Sequence, residues 1–310
     1  MKKIVVITDW GFSSLDIERS VFEGNDIELR DYQCKTEDDV AKVVADADIV
    51  IAQWAPVRGR ALDAMTRCKG IVRYGIGLDN VDLVRAKELG IAVRNVPDYC
   101  LSEVADHTMA LMLSLQRQVC RVNNLVREGT WKITPPLALP PLRQSTLGLV
   151  GFGRISQLAA MRARAFDLNV IASDPFVPSG VFQQAGVTKV DVDTLLRSSD
   201  IVSLQCPLTD ETKHLINRDS LKRMKPLALI VNTSRGGLID TQALIEALKA
   251  NTIAGAALDV FEQEPLPREN ELYQLPNVII TSHNAWYSSA SVGELQRKAA
   301  LAAVDLLKST

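Results

Sequence analysis

The stretch Gly148-Leu149-Val150-Gly151-Phe152-Gly153-Arg154-Ile155-Ser156 decides how the rest of the chain is read. Gly151 and Gly153 follow an apolar, strand-like run and open a helical pattern. The first glycine permits a tight turn, and the second lets the backbone approach a pyrophosphate at the positive N-terminus of a helix. Ser156 stands where a third glycine would serve helix–strand packing, and serine is the next smallest residue for that task. Asp174 follows 23 residues after Gly151, at the end of Val170-Ile171-Ala172-Ser173, where a carboxylate accepts ribose hydroxyls. The next residues, Pro175-Phe176-Val177-Pro178, bring no Arg or Lys for a 2′-phosphate, so the expected cofactor is NAD.

On both sides of this turn, short apolar runs alternate with amphipathic stretches. Before it, strands are expected at 4–8, 27–30, 49–53, 71–74 and 91–93, with helices at 16–22, 37–46, 59–67 and 80–89. After it, strands are expected at 146–150, 170–173, 187–190, 201–204, 228–231, 254–258 and 278–281, with helices including 155–166, 192–198 and 241–250. Such alternation predicts parallel βαβ units in an α/β fold. Between the two series, Ser102–Glu128 lacks Gly and Pro and carries Val104, Met109, Leu111, Met112, Leu115, Val119, Val122 and Leu125 at helical spacing. One long helix is expected there, capped by Ser102 and stopped by Gly129, followed by a proline-rich loop with Pro135, Pro136, Pro140 and Pro141. An amphipathic helix over 289–308 closes the chain. The expected architecture is two Rossmann-like, doubly wound lobes around a cleft.

Composition narrows the function classes. The 310 residues are 47% hydrophobic and 23% charged, with 35 basic against 37 acidic side chains and a net charge of −2. That balance argues against a disordered chain and carries no footprint for nucleic acid. No run approaches the ~18 apolar residues that span a bilayer. The opening Met1–Thr8 passes directly into a strand without a signal-peptide pattern, so the expectation is a cytoplasmic protein with no membrane partner. Five cysteines, at 34, 68, 100, 120 and 206, form no CxxC pair, and three histidines at 107, 214 and 283 lie near no cysteine pair. Neither a disulfide framework nor a metal site is expected.

Three further predicted strands end in polar segments: Asn232-Thr233-Ser234-Arg235-Gly236-Gly237, Asp259-Val260-Phe261-Glu262-Gln263-Glu264-Pro265 and Thr281-Ser282-His283-Asn284-Ala285-Trp286. Open α/β sheets bind ligands at such ends. An arginine for a carboxylate, a histidine for a hydroxyl proton and a glutamate to orient it suit hydride transfer to a 2-oxoacid. Together with Tyr74-Gly75-Ile76-Gly77-Leu78-Asp79-Asn80, these segments resemble the D-2-hydroxyacid dehydrogenase family over nearly the whole chain. Arg73 and the run His283-Asn284-Ala285-Trp286-Tyr287-Ser288 look most like its C-terminal-binding-protein branch.

The resemblance implies roles. His283 would be the general acid/base, and Glu264 would hydrogen-bond it and favour its charged form. Glu262 is also open as that acid, though the spacing from Asp259 and the following Pro265 favours Glu264. Arg235 would clamp carboxylate and carbonyl oxygens. The N–H groups of Ile76 and Gly77 would bind the carboxylate, with Arg73 either assisting or pairing with Asp79 or Asp82. Asp259 would contact the nicotinamide carboxamide. Thr108, Gly151, Gly153, Arg154, Ile155, Asp174, Cys206, Pro207, Thr212, Thr233, Ser234, Arg235 and His283 would line the dinucleotide, with Cys206 unreactive. His107 and His214 would be structural.

The resemblance also implies a substrate-binding domain over 1–100 plus 286–310, an NAD-binding Rossmann domain over 101–285, and a homodimer. Gln53 and Trp54 stand where phosphoglycerate enzymes of the family carry an arginine, which disfavours that substrate. Trp54, and Trp286 unless it only packs, would wall a pocket for a small or flat 2-oxoacid or 2-hydroxy acid. Two rival readings are an NAD(H)-responsive protein-binding module of the C-terminal-binding-protein type and an S-adenosylmethionine methyltransferase. The latter has no use for the Arg, Glu and His residues.

Overall fold

Apolar runs such as Ile49–Ala52 and Ile201–Leu204 are buried on both faces, which is why they read as continuous rather than alternating. The computed structural model describes residues 2–132 and 139–309; Met1, Thr310, Pro135 and Pro136 lie outside the described residues. The chain divides into two compact units, Met1–Cys100 with Tyr287–Thr310, and Leu101–Trp286. Trp286 thus falls with the second unit, one residue beyond the boundary expected from the sequence.

In the first unit, β1 (Lys3–Ile7), β2 (Ile27–Asp31), β3 (Ile49–Ala52), β4 (Gly70–Arg73) and β5 (Ala92–Asn95) form a parallel sheet of order β2-β1-β3-β4-β5. The connections carry α1 (Asp16–Phe22), α2 (Glu37–Val43), α3 (Gly59–Asp63) and α4 (Leu83–Glu88). Local caps fix the helix starts. Thr36 forms a capping box with Asp39, and the Asp82 carboxylate accepts from Arg85 N, so α4 begins at Leu83 rather than at Asn80.

The second unit opens with α5 (Leu101–Gln116) and α6 (Val119–Arg127). It continues through β6 (Thr146–Val150), α7 (Arg154–Arg164), β7 (Asn169–Ser173), α8 (Ser179–Ala185), β8 (Thr188–Lys189), α9 (Val192–Ser198), β9 (Ile201–Leu204), α10 (Arg218–Arg223), β10 (Leu229–Asn232), α11 (Thr241–Lys249), β11 (Gly255–Leu258) and β12 (Val278–Ile280). Its strands are all parallel, in the order β12-β11-β10-β9-β6-β7-β8. Ile201, Leu229 and Val231 bury against α5, α7 and α8, while Val202, Leu204 and Ile230 bury on the opposite face against α9, α10 and α11. The unit is therefore doubly wound, as the alternating pattern predicts.

One sequence expectation fails here. The helix expected over Ser102–Glu128 is two helices, broken at Gln118, which adopts φ 53°. No glycine or proline marks the break. Arg117 N donates to Leu113 O and Gln118 N to Leu115 O, after which the left-handed residue redirects the chain. No residue of α6 is buried, so Val119, Val122 and Leu125 do not continue the buried stripe of α5. Ser102 lies inside the first turn of α5 instead of capping it.

The terminal helix α12 (Ser289–Lys308) belongs to the first unit. Leu306 packs on Gly70 of β4. Gln296 Nε2 donates to Ser14 O at 2.8 Å and to Glu18 Oε2 at 2.9 Å, while Tyr74 Oη donates to Glu18 Oε1 at 2.7 Å. Burial raises the Glu18 carboxyl above its ordinary value despite these bonds. No helix among the described residues is long and apolar enough to cross a membrane.

Candidate active site

The strand order of the second unit reverses between β6 and β9, and the glycine turn sits at their carboxyl ends. Gly151 has φ 95°, and a Cβ there would stand 2.6 Å from Gln205 O and 2.8 Å from Cys206 N, so the neighbouring connection demands a glycine. Gly153 differs. A Cβ there meets no protein atom within 4 Å, and the residue is exposed at the N-terminus of α7. The open space at Gly153 leaves room for a phosphate to approach the backbone at the start of α7, so the turn fits a dinucleotide.

Ser156 proves to be more than a small packing residue. It is buried, and its Oγ donates to Gly151 O at 2.7 Å, tying the first turn of α7 to the glycine turn. Ser156→Gly is expected to destabilise the protein by about 1–2 kcal/mol, from the lost bond and a helical glycine. Unfolding in urea measures this; an unchanged midpoint would refute the bracing role of the hydroxyl.

Asp174 also braces the turn. Its Oδ2 accepts from Phe152 N at 2.8 Å, and its Oδ1 accepts from Phe176 N at 2.9 Å and Val177 N at 3.2 Å. Arg154 is exposed and Ile155 half-buried beside Gly153. Thr108 on α5 and Thr233 after β10 share a 2.7 Å hydroxyl contact. Ser234 Oγ donates to Cys206 O at 2.6 Å, and Thr212 Oγ1 donates to Pro207 O at 2.7 Å. Burial, and the Asp174 charge, push the Cys206 thiol up to about 11, which leaves it inert at neutral pH.

The connections after β10, β11 and β12 carry Arg235, Glu264 and His283. A Cβ on Gly236 would run into the Phe261 carbonyl, so the arginine and glutamate loops pack backbone to backbone. Phe261 N donates to Glu264 Oε1 at 2.8 Å, and Glu264 Oε2 accepts from His283 Nδ1 at 2.6 Å. Burial pushes the Glu264 carboxyl upward. The His283 bond and charge, the Phe261 N–H and the Arg235 charge outweigh it, and the carboxyl is held below its ordinary value. Because Nδ1 is engaged, Nε2 is the His283 nitrogen left to exchange a proton.

The two glutamates are separated by partner. Glu262 Oε1 takes His214 Nε2 at 2.6 Å, and its Oε2 takes Thr241 N at 2.9 Å, which ties it to α11.

Asp259, expected to contact the nicotinamide carboxamide, is held by the turn that carries His283. It is fully buried, and its carboxylate accepts from Thr281 Oγ1 at 2.5 Å, Asn284 N at 3.0 Å and Ala285 N at 2.9 Å. His283 N donates to Asp259 O at 2.8 Å, and His283 itself has φ 54°. A histidine in that region costs about 1–2 kcal/mol, so the turn must be over-determined to persist. Trp286 Nε1 donates to His283 O at 2.9 Å and completes the same turn. The sequence reading missed Thr281; the available signal was a hydroxyl at a strand's carboxyl end.

In the first unit the order reverses between β1 and β3. There the buried Asp9 carboxylate accepts from Gln53 N at 3.0 Å, Trp54 N at 2.6 Å and Ala55 N at 3.1 Å. The Trp54 ring, 52% exposed, lies on Gly11, where a Cβ would stand 2.6 Å from it. Asp9 is a second residue the sequence reading missed. Past β4, Gly75 has φ 140°, and a side chain there would run into the Arg73 guanidinium. Val96 N donates to Gly75 O at 3.0 Å and Asn95 Nδ2 to Ile76 O at 2.6 Å, holding the turn that carries Ile76 and Gly77.

A glycine turn at a sheet's switch point, with a histidine–glutamate pair on the connections after β11 and β12, suits an oxidoreductase that uses a dinucleotide. Comparisons with known proteins narrow the class. Residues 109–285 match the family model described as D-isomer specific 2-hydroxyacid dehydrogenase, NAD binding domain. A hydroxypyruvate reductase of Thermotoga maritima is 40% identical over 272 residues, 87% of this chain and 86% of the relative. A D-3-phosphoglycerate dehydrogenase of Methanocaldococcus jannaschii is 39% identical over 88% of this chain, which spans 51% of that relative. Among solved structures, a D-lactate dehydrogenase from Aquifex aeolicus, complexed with NAD and lactic acid, superposes with a TM-score of 0.90 at 28% identity, covering 98% of this chain and 96% of that one. The chain belongs to the D-isomer specific 2-hydroxyacid dehydrogenase family, and its second unit carries the NAD-binding domain.

Proposed function

We propose that the protein interconverts a small 2-oxoacid and its D-2-hydroxy acid, with His283 as the proton-transfer group. The observation that carries this reading is the 2.6 Å bond between His283 Nδ1 and Glu264 Oε2, within reach of the Arg235 charge. The dinucleotide, when bound as NADH, would supply the hydride for C2 of the oxoacid. His283 Nε2 gives its proton to the carbonyl oxygen as the charge develops there, and takes it back in the reverse reaction. Glu264 holds the ring and stabilises its imidazolium. Arg235 grips the substrate carboxylate and draws negative charge toward the carbonyl oxygen.

In the first unit, this reading assigns Arg73 and the N–H groups of Ile76 and Gly77 to the substrate carboxylate and Trp54 to its side chain; in the second unit it assigns Trp286 to the side chain. Gly153, Arg154, Ile155 and Asp174 hold the dinucleotide. A homodimer is part of this reading, with a second copy covering Val119 and Val126 of α6, which are 54% and 41% exposed.

Loss of NADH absorbance against a panel running from glyoxylate and hydroxypyruvate through pyruvate to branched and aromatic 2-oxoacids tests the proposal. Turnover on the small acids is expected, with little on the bulky ones. NADH binding without turnover on any acid would favour instead the protein-binding module of the C-terminal-binding-protein type.

A further inference from the structure

Behind His283 runs a hydrogen-bond chain whose direction is fixed by the groups in it. Asn284 N and Ala285 N can only donate, and both donate to the buried Asp259 carboxylate. The Thr281 hydroxyl has one proton, and at 2.5 Å from Asp259 Oδ1 it gives it to that oxygen. The Thr281 oxygen is thereby left as acceptor toward His107 Nε2, 3.1 Å away on α5. His107 Nε2–H therefore donates to Thr281, and Thr281 donates to Asp259. The same threonine anchors its backbone, since Thr281 N donates to Leu258 O at 2.9 Å.

Residues 281–285 thus wrap around one buried carboxylate, with His283 in a backbone conformation that only surrounding bonds sustain. Asp259 is fully enclosed, and its influence on the reaction passes through this turn.

We propose that Thr281, oriented by His107, is a positioning residue that aims the His283 imidazole through Asp259. The proposal rests on the proton-transfer role of His283 given above. A misaimed acid costs rate more than binding, because the proton must be delivered along one line. Removing the hydroxyl frees the Asp259 oxygen it covers and loosens the turn, while the dinucleotide turn at Gly151–Ser156 is untouched.

The experiment compares Thr281→Val, Thr281→Ser and His283→Ala with the wild-type protein. Thr281→Val is expected to lower kcat about 10- to 100-fold on the preferred 2-oxoacid, with NADH affinity within about twofold of wild type. Thr281→Ser keeps the hydroxyl and is expected to stay within about threefold of wild type. With three histidines in the chain, nitrogen-15 histidine spectra are readable. They should show His107 protonated at Nε2 in wild type and in Thr281→Ser, and a displaced His283 resonance in Thr281→Val.

Unchanged turnover in Thr281→Val, an equal loss in Thr281→Ser, or His107 protonated only at Nδ1 would each overturn the proposal. The His107 tautomer is read on wild type, so a Thr281→Val protein that fails to fold still leaves the chain tested. Wild-type activity retained in His283→Ala would instead sink the proton-transfer reading. The tautomer and the His283 shift would still report on the chain.

Discussion

His283→Ala is expected to lower kcat about 100- to 10,000-fold while leaving NADH affinity close to wild type, the range typical of removing a general acid. The argument is geometric. Glu264 Oε2 engages Nδ1, so in the proposed mechanism Nε2 is the nitrogen that delivers the proton, and alanine would leave only water to do so. Glu264→Gln keeps an acceptor for the ring but removes the carboxylate charge beside it, and a smaller loss is expected. Steady-state NADH oxidation over pH checks both.

The sign of the pairing's contribution to folding stability follows from the carboxyl held below its ordinary value. The pairing contributes fully above the unfolded-state value of a glutamate and is lost as the pH falls through the lower folded value. Turnover by His283→Ala within about threefold of wild type would remove the histidine from the mechanism.

The second large effect separates two glycines that a motif treats alike. Gly151→Ala is expected to destabilise the protein by about 3 kcal/mol or more, combining a left-handed backbone with a Cβ driven into the Gln205–Cys206 peptide. For a unit of this size that is a fall of roughly 6–12 °C in Tm. Gly153→Ala is expected to melt within about 1–2 °C of wild type, because its Cβ meets nothing in the protein. Its NADH affinity should fall at least about tenfold, since the methyl enters the space the pyrophosphate needs. Calorimetry with and without NADH distinguishes the two. Equal NADH affinity in Gly153→Ala and wild type would show that the dinucleotide does not cross that glycine.

Which features were legible in the sequence depends on the range of the forces that set them. Strands such as 146–150 and 201–204 match their expected limits because continuous burial is written into consecutive apolar residues. The helix 16–22 likewise matches. The break at Gln118 was invisible, because a left-handed glutamine is chosen by its surroundings and leaves no compositional mark. The helix Arg218–Arg223 carries a single apolar residue, Leu221, which sets no spacing to read.

In the site, Glu264 and His283 are hydrogen-bonded, the pairing that the family resemblance implied. The tasks of Asp259, Asp9 and Thr281 were not legible, since each is set by bonds to residues brought close only by folding. Asp9, for example, reaches backbone groups 44 to 46 positions away.

The return of α12 to the first unit has a consequence for synthesis on the ribosome. Glu18 and Gln296 are 278 positions apart, and α12 packs its Leu306 on Gly70. The second unit is uninterrupted, so every residue it needs precedes Tyr287. The first unit begins earlier yet must wait, its β4 face and its buried carboxyl uncovered, until the last helix emerges. Completion of the first unit therefore depends on residues 289–308, which are made after every residue of the second unit.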